Sequence, residues 1–319
     1  MSVDAGSEPA GNGPTAAAPV RQPDLAYVFD RWAGPLLDYC DGVLPGRAAA
    51  ASAVQDTLIA AQQRIGELSD PHRVRSWFYA LARLRCTSGT PAGGPANDPA
   101  DDPDDRADDL DQPGQPGADT AVLGLPDLEA EAIRREQLLI ATAAMAGLSP
   151  EDREVLNLAF RHRIHDMDLP AVLGLPLRRV RALLSRAGIR FSQAATAVAA
   201  LRSGLAGCQT LETIAGDWDP GAPALTAPVR KRLAKHIRSC TECTQSLRGR
   251  VFGPELLSVQ PLAPAPAAFR LRVLAAGTDP ERADYRREVA ARFGAFGPGG
   301  FPAVRAGSAM RRAARRRRG

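Results

Sequence analysis

Apolar residues recur at three- and four-residue spacing along this chain, and that helical period predicts an all-α fold. It is clearest over residues 149–190, which read as helix, turn, short helix, tight turn and helix. Ser149 is placed to cap the first of these helices, Pro150 suits its first position because a missing N–H costs nothing there, and Asp152 stands three residues after the cap. Asp168 is placed to cap the short second helix. Pro170 is tolerable inside that helix only near its start, and Gly174, Leu175 and Pro176 end it. The third helix then carries Val180, Leu183, Leu184 and Ala187 on one face. Arg178, Arg181 and Ser185 lie on another, flanked by Arg179 and Arg186. One face suits a core and the other is charged and free.

The same period predicts three helices over residues 24–88. Tyr27, Val28, Trp32, Leu36 and Tyr39 form the stripe of the first, which Gly34 and Pro35 should bend or interrupt. Val54, Leu58, Ala61 and Ile65 mark the second, and Val74, Phe78, Leu81 and Ala82 mark the third, which starts at Asp70 and Pro71. An amphipathic helix over 127–146 leads into the helix, turn and helix. Later, Thr226 and Pro228 open a helix whose one face holds Val229, Leu233, His236, Ile237 and Cys240. Beyond 251 the chain is rich in Pro and Ala, with short helices expected at 267–276 and 281–293.

Composition adds boundaries to this pattern. A length of 319 residues predicts two or three domains, and with aromatics at 5% the cores must be built mostly of Leu, Val and Ala. Residues 1–23 hold few large apolar groups to offset the entropy of ordering and are expected to be disordered. Between 90 and 126 lies a Pro/Gly-rich linker with nine Asp from Asp98 to Asp119 against the single Arg106, whose self-repulsion keeps it extended. The segments expected are therefore 1–23, 24–89, 90–126, 127–206, 207–250 and a tail, 251–319.

The net charge is only +4, yet 20 of the 40 Lys+Arg lie from Cys208 onward, against 9 Asp+Glu. Six of the last ten residues are Arg, a composition suited either to phosphate backbone or to a solvated tail. No apolar run reaches membrane-spanning length and the N-terminus lacks a signal pattern, so a cytoplasmic protein without membrane contact is expected.

Two constellations carry chemistry. Two helices around a short Gly-containing turn, the second rich in Arg, match a helix-turn-helix whose last helix enters the major groove of DNA; the plain alternative is a solvated basic surface helix. His236, Cys240 and Cys243 supply three soft ligands within reach of one tetrahedral ion, with Cys208 as candidate fourth, and zinc is the metal such donors favour. Buried inert thiols, or a redox-active pair, remain the alternatives there. Cys40 and Cys86 are isolated and read as core residues. No phosphate-cradling loop follows a strand, and His162 and His165 lack an evident nucleophile partner, so no enzymatic activity is expected.

The run LSPEDREVL followed by AVLGLPLRRVRALLSRA resembles region 4 of sigma factors, the promoter-recognition subunits of bacterial RNA polymerase, particularly the short extracytoplasmic-function type. AVQDTLIAAQQRIGEL with DPHRVRSWFYALARLRC is similar to their region 2. The resemblance implies that Gln55 and Asp56 contact core RNA polymerase. It also implies that Arg75, Trp77, Tyr79, Arg83 and Arg85 approach promoter DNA, where aromatic planes and cations suit unstacked bases. Ordinary core packing is the alternative for Trp77 and Tyr79. Ala51 and Ser52 stand where the family usually has acidic residues, and Leu84 where it has Asn. Residues 208–245 resemble the zinc-binding anti-sigma domain, which implies an anti-sigma contact, either within this chain or to a separate one. The combined expectation is a transcription initiation factor regulated in cis. The alternatives are a DNA-binding regulator that does not recruit polymerase, and an interaction module that sequesters other factors.

Overall fold

The structure, a computed structural model, describes residues 24–88, 125–203, 208–216, 225–248, 250, 252–297 and 299–303. Most of them are helical, and no strand occurs among the described residues. The N-terminal segment, nearly all of the acidic linker and the Arg-rich terminus lie outside the described residues.

Helices α1 (Leu25–Asp41), α2 (Arg47–Arg64) and α3 (Val74–Thr87) form the first module. Asp24 caps α1 by accepting from the N–H of Ala26, and Val28, Trp32, Leu36 and Tyr39 are buried along it. Two expectations for α1 need correction. Tyr27 is 65% exposed, because it sits off the face defined by the other four residues. Gly34 and Pro35 do not interrupt the helix. Gly34 serves packing instead: a Cβ there would stand 2.7 Å from the Ala263 carbonyl oxygen of a segment that crosses the helix. Helix α3 is buried on more than its expected stripe, since Trp77, Tyr79 and Ala80 are as enclosed as Phe78, Leu81 and Ala82. A one-sided stripe rule misses a helix that is covered from several sides.

Helix α4 (Leu125–Ala146), α5 (Pro150–Leu156), α6 (Leu169–Leu173) and α7 (Leu177–Arg202) form the second module. Ser149 caps α5 by accepting from the N–H of Asp152, and Gly174 ends α6 in the left-handed region at φ 63°, as the turn requires. Asp168 occupies the capping position of α6 but makes no cap bond, because its carboxylate accepts from Arg73 and Ser76 of the first module, each at 2.7 Å. Val180, Leu183 and Ala187 are buried, and Leu184 packs against the core.

The third segment holds α8 (Gln209–Ala215), α9 (Ala227–Ser239) and α10 (Thr241–Ser246). It packs on α7 and on the turn between α4 and α5. There the guanidinium of Arg230, 5% exposed, donates to the Gly147 carbonyl at 2.9 Å. The chain then passes α4 as a 3-10 turn, Pro254–Val259, crosses α1 at Gly34, and returns to the first module. Helix α11 (Ala267–Thr278) lies on α1, and α12 (Ala283–Arg292) lies along α2. No helix among the described residues is long and apolar enough to cross a membrane.

Candidate nucleic-acid interface and metal centre

Helix α7 divides its surface as its sequence does. Its apolar face holds the helix on α4 and α5, and this leaves Arg178, Arg179, Arg181, Ser185 and Arg186 all exposed on the outward side. Only the Arg186 guanidinium bends back, its Nε donating to the Ala182 carbonyl of the same helix at 3.1 Å. A row of guanidinium groups on a rigid helix, beside a tight turn, presents forked donors to phosphates or to guanine edges.

The α3 residues are placed differently. Trp77 is fully buried and its Nε1 donates to the Gly300 carbonyl at 2.6 Å. Tyr79 is buried and shares a 2.9 Å hydrogen bond with His162 Nδ1. Arg75 donates to the His162 carbonyl at 3.1 Å, and Arg83 pairs with Glu154 at 2.8 Å. Arg85 is buried against Asp56 at 2.7 Å. In this arrangement these side chains are engaged within the chain, Trp77, Tyr79 and Arg85 buried and Arg75 and Arg83 half-buried. Four of them meet the second module or the returning C-terminal segment. Asp56 is correspondingly an internal ion-pair partner, 4% exposed, with Arg292 3.7 Å away, and Gln55 donates to the Tyr285 hydroxyl at 3.3 Å.

The interface between the first two modules is polar and closely fitted. Besides Asp168 with Arg73 and Ser76, Tyr39 donates to Glu154 at 3.0 Å and Arg161 pairs with Asp38. At its centre sits His162, 1% exposed, whose Nε2 lies 3.5 Å from an Asp38 oxygen. Burial lowers its pKa to about 4 despite that carboxylate, so the ring is neutral here near neutral pH. Each of these bonds joins residues far apart in sequence, so helical spacing gives no sign of them. The same holds for Cys40 and Cys86, read as isolated, whose sulfurs are 3.4 Å apart.

The four residues read as metal ligands do converge. Cys208 precedes α8, His236 lies in the last turn of α9, Cys240 stands between α9 and α10, and Cys243 lies in α10. Their ligand atoms all lie within 4.8 Å of one another. Cys208 Sγ is 3.1 Å from His236 Nε2 and 3.9 Å from Cys240 Sγ, and Cys243 Sγ is 3.5 Å from the same nitrogen. A tetrahedron with metal–sulfur bonds of about 2.3 Å has sulfur–sulfur edges of roughly 3.8 Å, so the donor set has the size that a zinc-like ion needs. The thiols are not equivalent: N–H groups of Cys243 and Glu242 lower the Cys240 pKa, while burial pushes Cys243 up to about 12.

No protein-family profile, curated protein or solved structure matches this chain.

Proposed function

We propose that this protein is a sigma-factor-like transcription initiation protein that binds promoter DNA and core RNA polymerase. The observation that carries the reading is the helix-turn-helix of α6 and α7, which keeps five polar and basic side chains, from Arg178 to Arg186, exposed together while its apolar side is buried. The division itself is common to surface helices; joined to a short preceding helix by a left-handed glycine turn, it is also the arrangement of a groove-reading helix. The three-helix module before it supplies the second half of the sigma-like order, with α2 and α3 bearing the residues that meet polymerase and the melted promoter.

In this proposal zinc is held by Cys208, His236, Cys240 and Cys243. With four protein ligands there is no open position for water, so the ion is structural: it fixes α8, α9 and α10 as one unit. That unit stands against the helix-turn-helix module, through Arg230 and Gly147, a contact that supports regulation within the chain over capture of a separate one.

A second reading, a DNA-binding regulator that does not recruit polymerase, is favoured by one observation: Asp56 and the α3 candidates are all engaged internally. The two readings separate in one experiment. Full-length chain, alone or with core RNA polymerase, selects fragments from a genomic DNA pool, beside a variant with Arg178, Arg179, Arg181 and Arg186 all changed to Ala. The initiation reading expects sequence-selective capture that depends on polymerase and is lost in the variant. Each lost bidentate base contact costs about 1–3 kcal/mol, and each lost phosphate contact reduces the salt slope. Capture unaffected by polymerase favours the regulator, and a folded variant binding like wild type removes α7 as the DNA-reading element.

A further inference from the structure

The last described part of the chain is not a loose tail, because it is seated on the first module. Phe269 of α11 packs at a tilt against Phe29 with ring centroids 5.5 Å apart, and Arg270 pairs with Asp30 at 2.7 Å. Where α11 ends, a Cβ on Gly277 would stand 2.1 Å from the Leu25 side chain, so helix and module meet without a gap. Helix α12 then lies along α2. Val289 and Phe293 are buried, Tyr285 receives Gln55, and Arg292 faces Asp56. Arg64 of α2 donates to the carbonyls of Ala290 at 3.3 Å and Gly294 at 2.6 Å, which supplies the end of α12 with a cationic donor. The same guanidinium lies 3.8 Å from the centre of the Phe296 ring.

The segment ends in a turn that closes over α3. Gly297 N–H donates to the Phe301 carbonyl at 2.8 Å and Gly300 N–H donates to Gly297 at 2.8 Å. Gly300, at φ 78°, then offers its own carbonyl to the Trp77 indole. Phe296 meets the Trp77 ring edge-on and Phe301 sits under Arg73. Only glycine fits this position, since a Cβ on Gly300 would lie 2.2 Å from the Glu67 carbonyl oxygen.

We infer that residues 267–303 are an intramolecular cap on the α2–α3 surface, competing for it with core RNA polymerase. The inference rests on the initiation-factor reading for the identity of the competitor, while the seat itself rests on the contacts above. The cap engages one side chain from each group which that reading assigns outward, Gln55 on α2 and Trp77 on α3, and sets Arg292 3.7 Å from Asp56, whose nearer partner is Arg85 of α3. It reaches them after a Pro-rich crossing between Gln260 and Pro266, a tether that keeps it at an effective concentration on the order of mM. A partner binding the same face in trans meets only the open fraction, so its apparent affinity falls by that fraction.

The test uses the full chain and two variants that spoil the seat at different points. Gly300→Val drives a side chain into Glu67, and Phe296→Ala removes the ring between Arg64 and Trp77. Amide hydrogen exchange reports whether α12 and residues 295–303 have loosened, and fluorescence anisotropy reports binding to core RNA polymerase. The cap predicts faster exchange in α12 and tighter polymerase binding in both variants, by about tenfold or more. Faster exchange with unchanged binding would overturn the competition. Unchanged exchange in both variants would overturn the assigned seat. Loosened variants that, like wild type, bind no polymerase would overturn the initiation-factor reading, and the proposal with it.

Discussion

His162 shows how much a single side chain can hold at a joint between modules. Its ring is enclosed by Tyr79, Tyr39 and Asp38, and its pKa is depressed by burial from 6.5 to about 4. The unfolded chain therefore binds more protons than the folded one between about pH 4 and 6.5, and stability rises with pH through that window and is lost as pH falls. The full shift corresponds to about 3 kcal/mol. Chemical denaturation at pH 7 and pH 4.5 should show a drop in stability for wild type that is smaller for His162→Asn. Equal pH dependence in both proteins would mean that His162 does not carry it. The buried pair of Arg85 and Asp56 has a different weakness. Asp56→Ala removes a carboxylate facing a guanidinium at low dielectric, and should cost about 3–5 kcal/mol of unfolding free energy in chemical denaturation, far more than a surface pair would. At the metal centre, Cys240→Ser and Cys243→Ser should each reduce zinc per chain, measured by elemental analysis, from about one to well below it. A wild-type chain purified with no metal would count against the site.

At the scale of elements, the helices and three of the four candidate metal ligands are legible because they are local. Capping by Ser149, the break at Gly174 and the apolar stripe from Val180 to Ala187 are set by neighbours within a turn or two, and each is seen in the structure. His236, Cys240 and Cys243 share one short stretch, so their spacing already places them together, while Cys208 joins them from before α8. What spacing does not carry is which faces meet. Trp77 and Tyr79 look like an exposed aromatic platform when α3 stands alone, and become core when α6 and residues 295–303 close on it. Asp168 looks like a cap until Arg73 and Ser76 come within reach from another module. The turn between α6 and α7 offers a direct check on the proposal that α7 reads DNA. Gly174→Ala places a Cβ in the left-handed region and should destabilise the chain by about 1–2 kcal/mol. Its effect on DNA binding should be larger than the stability change alone explains, because the turn sets the angle of α7. Binding that simply follows stability would argue against that role.

Across the whole molecule, the order of packing is not the order of the chain. The first module is covered by the second through α3, α5 and α6, and by the chain's own last helices through α1 and α2, while the metal-ligand segment stands on α7. The arginines of α7 stay exposed in this arrangement, whereas Trp77 of α3 is closed off by Gly300. A molecule built this way should bind DNA weakly through α7 before it opens, and should acquire promoter-dependent activity only when polymerase displaces the C-terminal segment. Run-off transcription from a genomic promoter library, with core RNA polymerase and the full-length chain, tests this most directly. The account predicts discrete start sites that appear only when the chain is present, vanish when Arg178, Arg179, Arg181 and Arg186 are replaced by Ala, and strengthen with Gly300→Val. Absence of chain-dependent transcripts from both wild type and Gly300→Val, with both proteins folded, would contradict it.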